Sequence, residues 1–334
     1  MEHRGKGGPD KKLNPDAIKG TLTHNRIRPV YLTICRAATP FPTDSRYNAL
    51  AMPIRDVVAP LNASKTLSHV ALLAIAMGVY ALLPVAKEYS PYKEIGDSPS
   101  QLHAALSVIL GWLLVFRTNA AYARWWEART LWGSLINAIR NLSLKLSVLS
   151  APSPPEARFL TVALSEFPRS LKSHLRNESY GHEELITEIC PAHGPLAIAN
   201  RLYSWVNARK EDGRIDGDEL RVIDVELAKL MDVCGACERI ARTPIVRSYR
   251  TFTRQCIALF LLTLPWGIVQ DFKWWTIPLT MVTAYFMFGM EIVAEHVEEP
   301  FGFDEDDLDL DGMCMTIETS VKEIFGRRHE SEAS

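Results

Sequence analysis

Phe116-Arg-Thr-Asn-Ala-Ala-Tyr-Ala-Arg-Trp-Trp-Glu-Ala-Arg-Thr-Leu-Trp-Gly133 decides how this chain is read. An apolar run ends at Phe116, and Arg117, Asn119 and Tyr122 open a polar one with no Gly or Pro before Gly133. A single helix is therefore expected to leave a membrane here and continue in water. Three Trp (125, 126, 132) and three Arg (117, 124, 129) follow the exit closely. They suit an interfacial belt, where amphipathic rings and snorkelling cations settle at the headgroups. A surface helix with core tryptophans is the soluble alternative.

Working outward, four apolar segments have the length and composition of membrane spans: 67–86, 101–116, 252–272 and 274–297. The first has twenty residues, and at 1.5 Å per residue that gives about 30 Å, the thickness of a hydrocarbon core. The second is short for a lone span, so Arg117 is expected to snorkel and neighbouring helices to shield it. Pro265 in the third is a tolerated kink. Glu291 and Glu295, near the inner end of the fourth, should face protein or water. Eleven Lys or Arg between Arg4 and Lys65 place the N-terminus in the cytoplasm by the positive-inside rule. An even number of spans then puts both termini and the polar middle on that side.

Residues 1–60 are basic and partly disordered by composition. The polar middle, 117–250, repeats the helical period without a convincing strand, with helices expected from 119 to the Pro152–Pro155 cluster and over 156–177, 196–209 and 218–242. Residues 298–325 complete this cytosolic body, and 326–334 read as a disordered tail. The expected fold is an all-α membrane protein with four transmembrane helices and a helical cytosolic body.

Composition narrows function. A net charge of −2 and a pI near 6.5 give no reason to expect a nucleic-acid partner. P-loop, GxGxxG, GxSxG and HExxH patterns are absent, so no enzyme is expected. The nine histidines read as isolated, His182 and His193 among them. Cys234-Gly-Ala-Cys237 is a CxxC without a second pair, lying inside a helical pattern, and reads as packing.

Two patterns carry candidate chemistry. Val108, Trp112 and Phe116 fall at i, i+4 and i+8 and form one stripe, which suits a pore lining or a core equally. Residues 298–311 hold eight carboxylates in fourteen positions. Asp307, Asp309, Asp311, Gly312 and Glu318 match the spacing of an EF-hand loop, but Pro300 and Gly302 interrupt the helix that should lead into it. A solvated acidic loop is the plain alternative.

The opening stretch resembles the hallmark segment of the bestrophin family, in its bacterial and fungal branch. Thr243-Pro-Ile245 leading to Tyr249, and Glu298-Glu-Pro-Phe-Gly302 followed by Asp304, Asp306 and Asp307, match in the same order. The resemblance covers roughly 67–325 and implies a homopentamer in the cell membrane, around a pore lined by the second span. Val108, Trp112 and Phe116 match the three apolar rings of the neck, which would gate by dewetting. Trp112 departs from the family's usual Ile or Phe. Arg117 would lie beside the neck as a pore-adjacent charge, and Ile215, Asp218 and Glu219 fall near the cytosolic aperture. Asp304 and Asp307 match the side-chain ligands of the calcium clasp of animal members, with His296 and Glu299 at its backbone positions.

The implied function is passive conduction of chloride or another anion, in contact with membrane lipid. A monovalent cation channel of the bacterial type is the alternative, followed by a non-conducting scaffold or receptor, and by a soluble bundle. Positive ring edges of Trp112 and Phe116 and the charge of Arg117 favour anions. Asp216, Asp218 and Glu219 oppose them from further away, where screening is stronger.

Overall fold

The computed structural model describes residues 65–91, 99–178, 193–304 and 306–332. Among these every regular element is a helix: α1 Lys65–Glu88, α2 Ser100–Leu149, α3 Pro154–Leu175, α4 Gly194–Glu211, α5 Gly217–Arg242, α6 Arg247–Phe272, α7 Thr276–Glu298 and α8 Leu310–Glu332. Residues 1–60 lie outside the described part. The expected disordered tail at 326–334 is instead helical through Glu332, since the segment after Gly326 is rich in Arg and Glu and holds no Pro.

Helix α2 is continuous for 50 residues, about 75 Å, as the unbroken stretch after Phe116 implied. Its first half packs with α6 and α7 around Leu110, Leu114, Ile257, Phe260, Leu261, Leu264 and Ala284, and α1 packs on α7 and α6. Its second half enters a separate core with α3, α4, α5 and α8. There Trp132, Leu135, Ile139, Leu142 and Leu146 recur at alternating spacings of three and four and are fully buried, the seam of an amphipathic helix. Helix α2 ends at Leu149, before Ala151 takes a φ of 43° and Ser153 starts α3 with a capping box to Glu156.

Three stretches are long and apolar enough to cross a membrane: Leu67–Glu88, Ser100–Leu149 and Arg247–Glu298. The third is two helices. Lys273 adopts a φ of 47° in a 3₁₀ turn at Lys273–Trp275, and the chain reverses. Arg254 and Glu291 would stand about 55 Å apart on one straight helix, yet Arg254 Nε donates to Glu291 Oε1 at 3.0 Å and its Nη2 pairs with Glu295 at 2.6 Å. Nearby on the same bundle, Gly267 lets the His103 imidazole lie directly on the α6 backbone; a Cβ there would clash with the ring.

Where the two halves of the molecule meet, buried charge joins them. Arg117 has no exposed surface; its Nε donates to Glu291 Oε2 at 2.8 Å, and its Nη1 lies 3.5 Å from Glu298 Oε2. Glu298 Oε1 accepts the Ile245 N–H at 3.1 Å. About two turns further, Arg124 donates to the carbonyls of Ile240, Thr243 and Glu298, satisfying helix-end acceptors that α5 and α7 leave open. The Tyr249 hydroxyl donates to Leu113 O at 3.1 Å. The interfacial-belt expectation is corrected here: Arg117 and Arg124 turn inward to carboxylates and carbonyls, Trp132 is core, and Tyr122 and Trp126 remain outward. Arg117→Met should destabilise the protein by about 3–5 kcal/mol, because it strands buried carboxylates. Adding Glu298→Gln should restore part of the loss in thermal unfolding of the purified protein.

Candidate functional site

Val108, Trp112 and Phe116 sit on one face of α2 and are 62%, 66% and 60% exposed in the single chain. Trp112 and Phe116 stack edge to face, with centroids 6.1 Å apart. Leu110 and Leu114, about 160° around the helix from Trp112, are buried against α6 and its neighbours. The stripe is thus outside the protomer core, and a core role for it is removed. Arg117 lies about 140° around from Trp112, within the ion pairs just described rather than on the stripe.

The second predicted region is dispersed by local structure. Ile215 is 2% exposed and belongs to the body core. Asp216 caps α5: its Oδ1 accepts the N–H groups of Asp218 and Glu219, and Glu219 Oε2 accepts the Asp216 N–H at 2.9 Å. Two of the three acids therefore fold the helix end. Asp218 stays solvated, paired at 3.4 Å with an equally exposed Arg221. The exposed face of α5 that carries Asp218 continues with Val222 and Val225 at i+4 and i+7, apolar positions that sequence reading passed over. Their signal was the same periodicity that marked the neck stripe.

The acidic run makes a tight turn under α7. Asp307 Oδ2 accepts the Asp304 N–H at 2.6 Å, and Asp307 N–H donates to Asp304 O. Gly302 fits because a Cβ would stand 2.7 Å from that Oδ2. Burial, with help from the Asp304 charge, pushes the Asp307 carboxyl up to about 6. Its Oδ1 is buried without a hydrogen-bond partner. Trp125 Nε1 donates to Asp306 O at 3.2 Å, tying the turn to α2. The EF-hand ligands do not converge: Asp309 accepts the Gly312 N–H, Asp311 pairs with Lys172, and Glu318 pairs with Arg169 and Lys322.

The CxxC pair is packing. Both thiols are buried in α5, and burial, followed by nearby charge, pushes each up to about 12, so neither is a ready nucleophile or redox group. His193, which reads as isolated in the sequence, is not: it meets His174 and Glu238.

With this geometry in place, comparison with known proteins is informative. A model of the bacterial and fungal bestrophin family matches residues 53–323. The chain belongs to the bestrophin family. A voltage-dependent anion channel-forming protein of Synechocystis sp. is 34% identical over 241 residues, covering 68% of this chain and 78% of that one. A protein of the same description from Mesorhizobium japonicum is 35% identical over 228 residues, covering 66% and 74%. The crystal structure of a bacterial bestrophin homologue from Klebsiella pneumoniae superposes with a TM-score of 0.72 at 26% identity, over 76% of this chain and 98% of that one. As a bestrophin with three long apolar helical stretches, it is a membrane protein.

The hard oxygens of Asp304 and Asp307 suit calcium, and the orphaned Asp307 Oδ1 fits such a ligand. Isothermal titration with calcium up to about millimolar, the weak end of calcium sites, should give heat that an Asp304→Ala, Asp307→Ala variant abolishes. Equal heat from both proteins contradicts the site.

Proposed function

We propose that this bestrophin is a passive anion channel, a homopentamer in the cell membrane with both termini cytoplasmic. The observation that carries the reading is the exposed apolar stripe of α2. The Arg117–Glu291 pair turns α2 so that Val108, Trp112 and Phe116 face away from α6 and α7. Five copies packed about one axis make of them three stacked rings over about 12 Å of helix, narrow and dry enough to gate by dewetting. The relatives named as anion channel-forming proteins support the sign of the ion.

In this reading α1, the first half of α2, α6 and α7 are the four spans, with lipid against their exposed apolar faces. Residues 117–250 and 298–325 form the cytosolic body. The α6–α7 reversal at Lys273 turns one apolar stretch into two crossings. Selectivity rests on the edges of Trp112 and Phe116, since Arg117 is neutralised inside the protomer and contributes little field at the neck. Asp218, with Val222 and Val225 below it, lies on the α5 face assigned to the cytosolic aperture. A carboxylate there is solvated, and beyond about 8 Å its field is screened at physiological salt. Bound calcium, held by Asp304 and Asp307, would stiffen the turn that Trp125 and Glu298 connect to the pore helix.

Purified protein in a planar bilayer tests this. Val108→Ala with Trp112→Ala and Phe116→Ala should raise conductance or open probability. In a tenfold potassium chloride gradient the wild type should reverse near the chloride equilibrium potential. Reversal near the potassium potential makes it a cation channel instead, and Asp218→Ala then shows whether that carboxylate sets the sign. Unchanged currents from a well-folded triple variant remove the neck assignment.

A further inference from the structure

Outside the conduction path, three helices of the body bring His174, His193 and Glu238 together from distant sequence. His174 lies in the last turn of α3, His193 caps the start of α4, and Glu238 lies one turn before the end of α5. Both imidazoles approach through Nε2, and both address the same carboxylate oxygen: His174 Nε2 stands 2.7 Å and His193 Nε2 2.8 Å from Glu238 Oε1. The two rings stack with centroids 4.4 Å apart. One potential ligand atom from each residue lies within 4.8 Å of the other two. Each side chain is between 17% and 27% exposed, so the cluster is set into the surface but open to solutes.

We propose that this cluster is a binding site for a divalent transition-metal ion of the zinc type, one per protomer. Two imidazole nitrogens and one carboxylate oxygen are the donors that zinc, cobalt and nickel favour. Zinc–nitrogen and zinc–oxygen bonds of about 2.0–2.2 Å place adjacent ligands of a tetrahedral ion roughly 3.3 Å apart. The two ring nitrogens now sit slightly closer than that to Oε1, so loading opens the cluster by fractions of an ångström. Without metal, two ring N–H groups share one oxygen; a cation bound there through both Nε2 atoms leaves each ring neutral with its proton on Nδ1. The fourth position faces solvent and takes water.

The remaining contacts define the consequences of loading. His193 Nδ1 accepts the Leu196 N–H at 3.2 Å, which places the proton of the metal-free ring on Nε2. Ligation through Nε2 transfers that proton to Nδ1 and releases the α4 cap, so the ion exchanges a local helix cap for a tie among α3, α4 and α5. Cys234 lies one turn before Glu238, its Sγ 3.9 Å from Oε1. Arg176, two residues past His174, donates to Phe301 O at 3.0 Å and covers the Phe303 ring. The site thus abuts the segment that leads into the acidic turn.

Zinc and cobalt uptake by the full-length protein in detergent tests the assignment. Titration of metal-stripped protein should give one zinc per protomer, and cobalt should give the intense visible absorption of a four-coordinate ion, displaced by zinc. His174→Ala and Glu238→Gln should each weaken zinc binding by about 100-fold or more, beyond the upper range for loss of a supporting outer group. The absorption should be lost in both. Glu238→Gln keeps side-chain shape and pairs with the imidazoles, so a folding defect in His174→Ala leaves the test intact. Wild-type protein that takes up no zinc and gives no cobalt band overturns the proposal, as does uptake unchanged in both variants.

Discussion

Arg117 is a full charge with no access to water, at the level where α2 passes from the apolar bundle into the body. Burying an ion there costs several kcal/mol unless counter-charges come with it. Glu291 and Glu298 supply them from α7, and Arg254 shares Glu291 from α6. The arrangement fixes more than distance. Because Arg117 must face α7, the rotation of α2 about its own axis is set, and with it the direction of Val108, Trp112 and Phe116. In lipid no hydrophobic drive turns apolar side chains inward, so the buried charge is what fixes this face.

That constraint extends along the chain because α2 does not break. The same helix carries the stripe, the buried arginine, the carbonyl-binding Arg124 and the core Trp132. A displacement in the body is delivered to the stripe along a rigid element rather than through a loop. The acidic turn enters the path through two bonds: Trp125 Nε1 to Asp306 O from the α2 side, and Glu298 to Ile245 N–H from the α7 side. Ion binding at that turn has a short mechanical route to the exit of the apolar bundle.

The three motifs that carried the family resemblance meet at this joint. Arg117 and Arg124 come from the first, Thr243, Ile245 and Tyr249 from the second, and Glu298 from the third. Helix limits were legible because they are local: Pro154 and Ser153 start α3, and the Asp216–Glu219 box starts α5. The apolar stretches were legible for the same reason. The role of Arg117 was not, since its partners lie 174 and 181 residues away and snorkelling accounts for the same side chain at a membrane edge. Ile215 illustrates the converse: alignment placed it at an aperture, while one apolar residue ahead of a capping box packs into the core. His193 read as solitary because its partners lie 19 residues before it and 45 after it.

The central claim is that the buried charge pair turns one defined face of α2 toward water at the axis of the assembly. Single cysteines scanned along α2 test it most directly, with a charged, membrane-impermeant thiol reagent and current as the readout. Of the described native cysteines, 234, 237 and 314 are buried and Cys256 is half-buried, so the scan is made with Cys35, Cys190 and Cys256 replaced by Ser. The account predicts that cysteines at 108, 112 and 116 react and alter the current, while those at 110 and 114 do not. Reaction at 110 and 114 with none along the stripe would place the stripe against lipid and contradict the account.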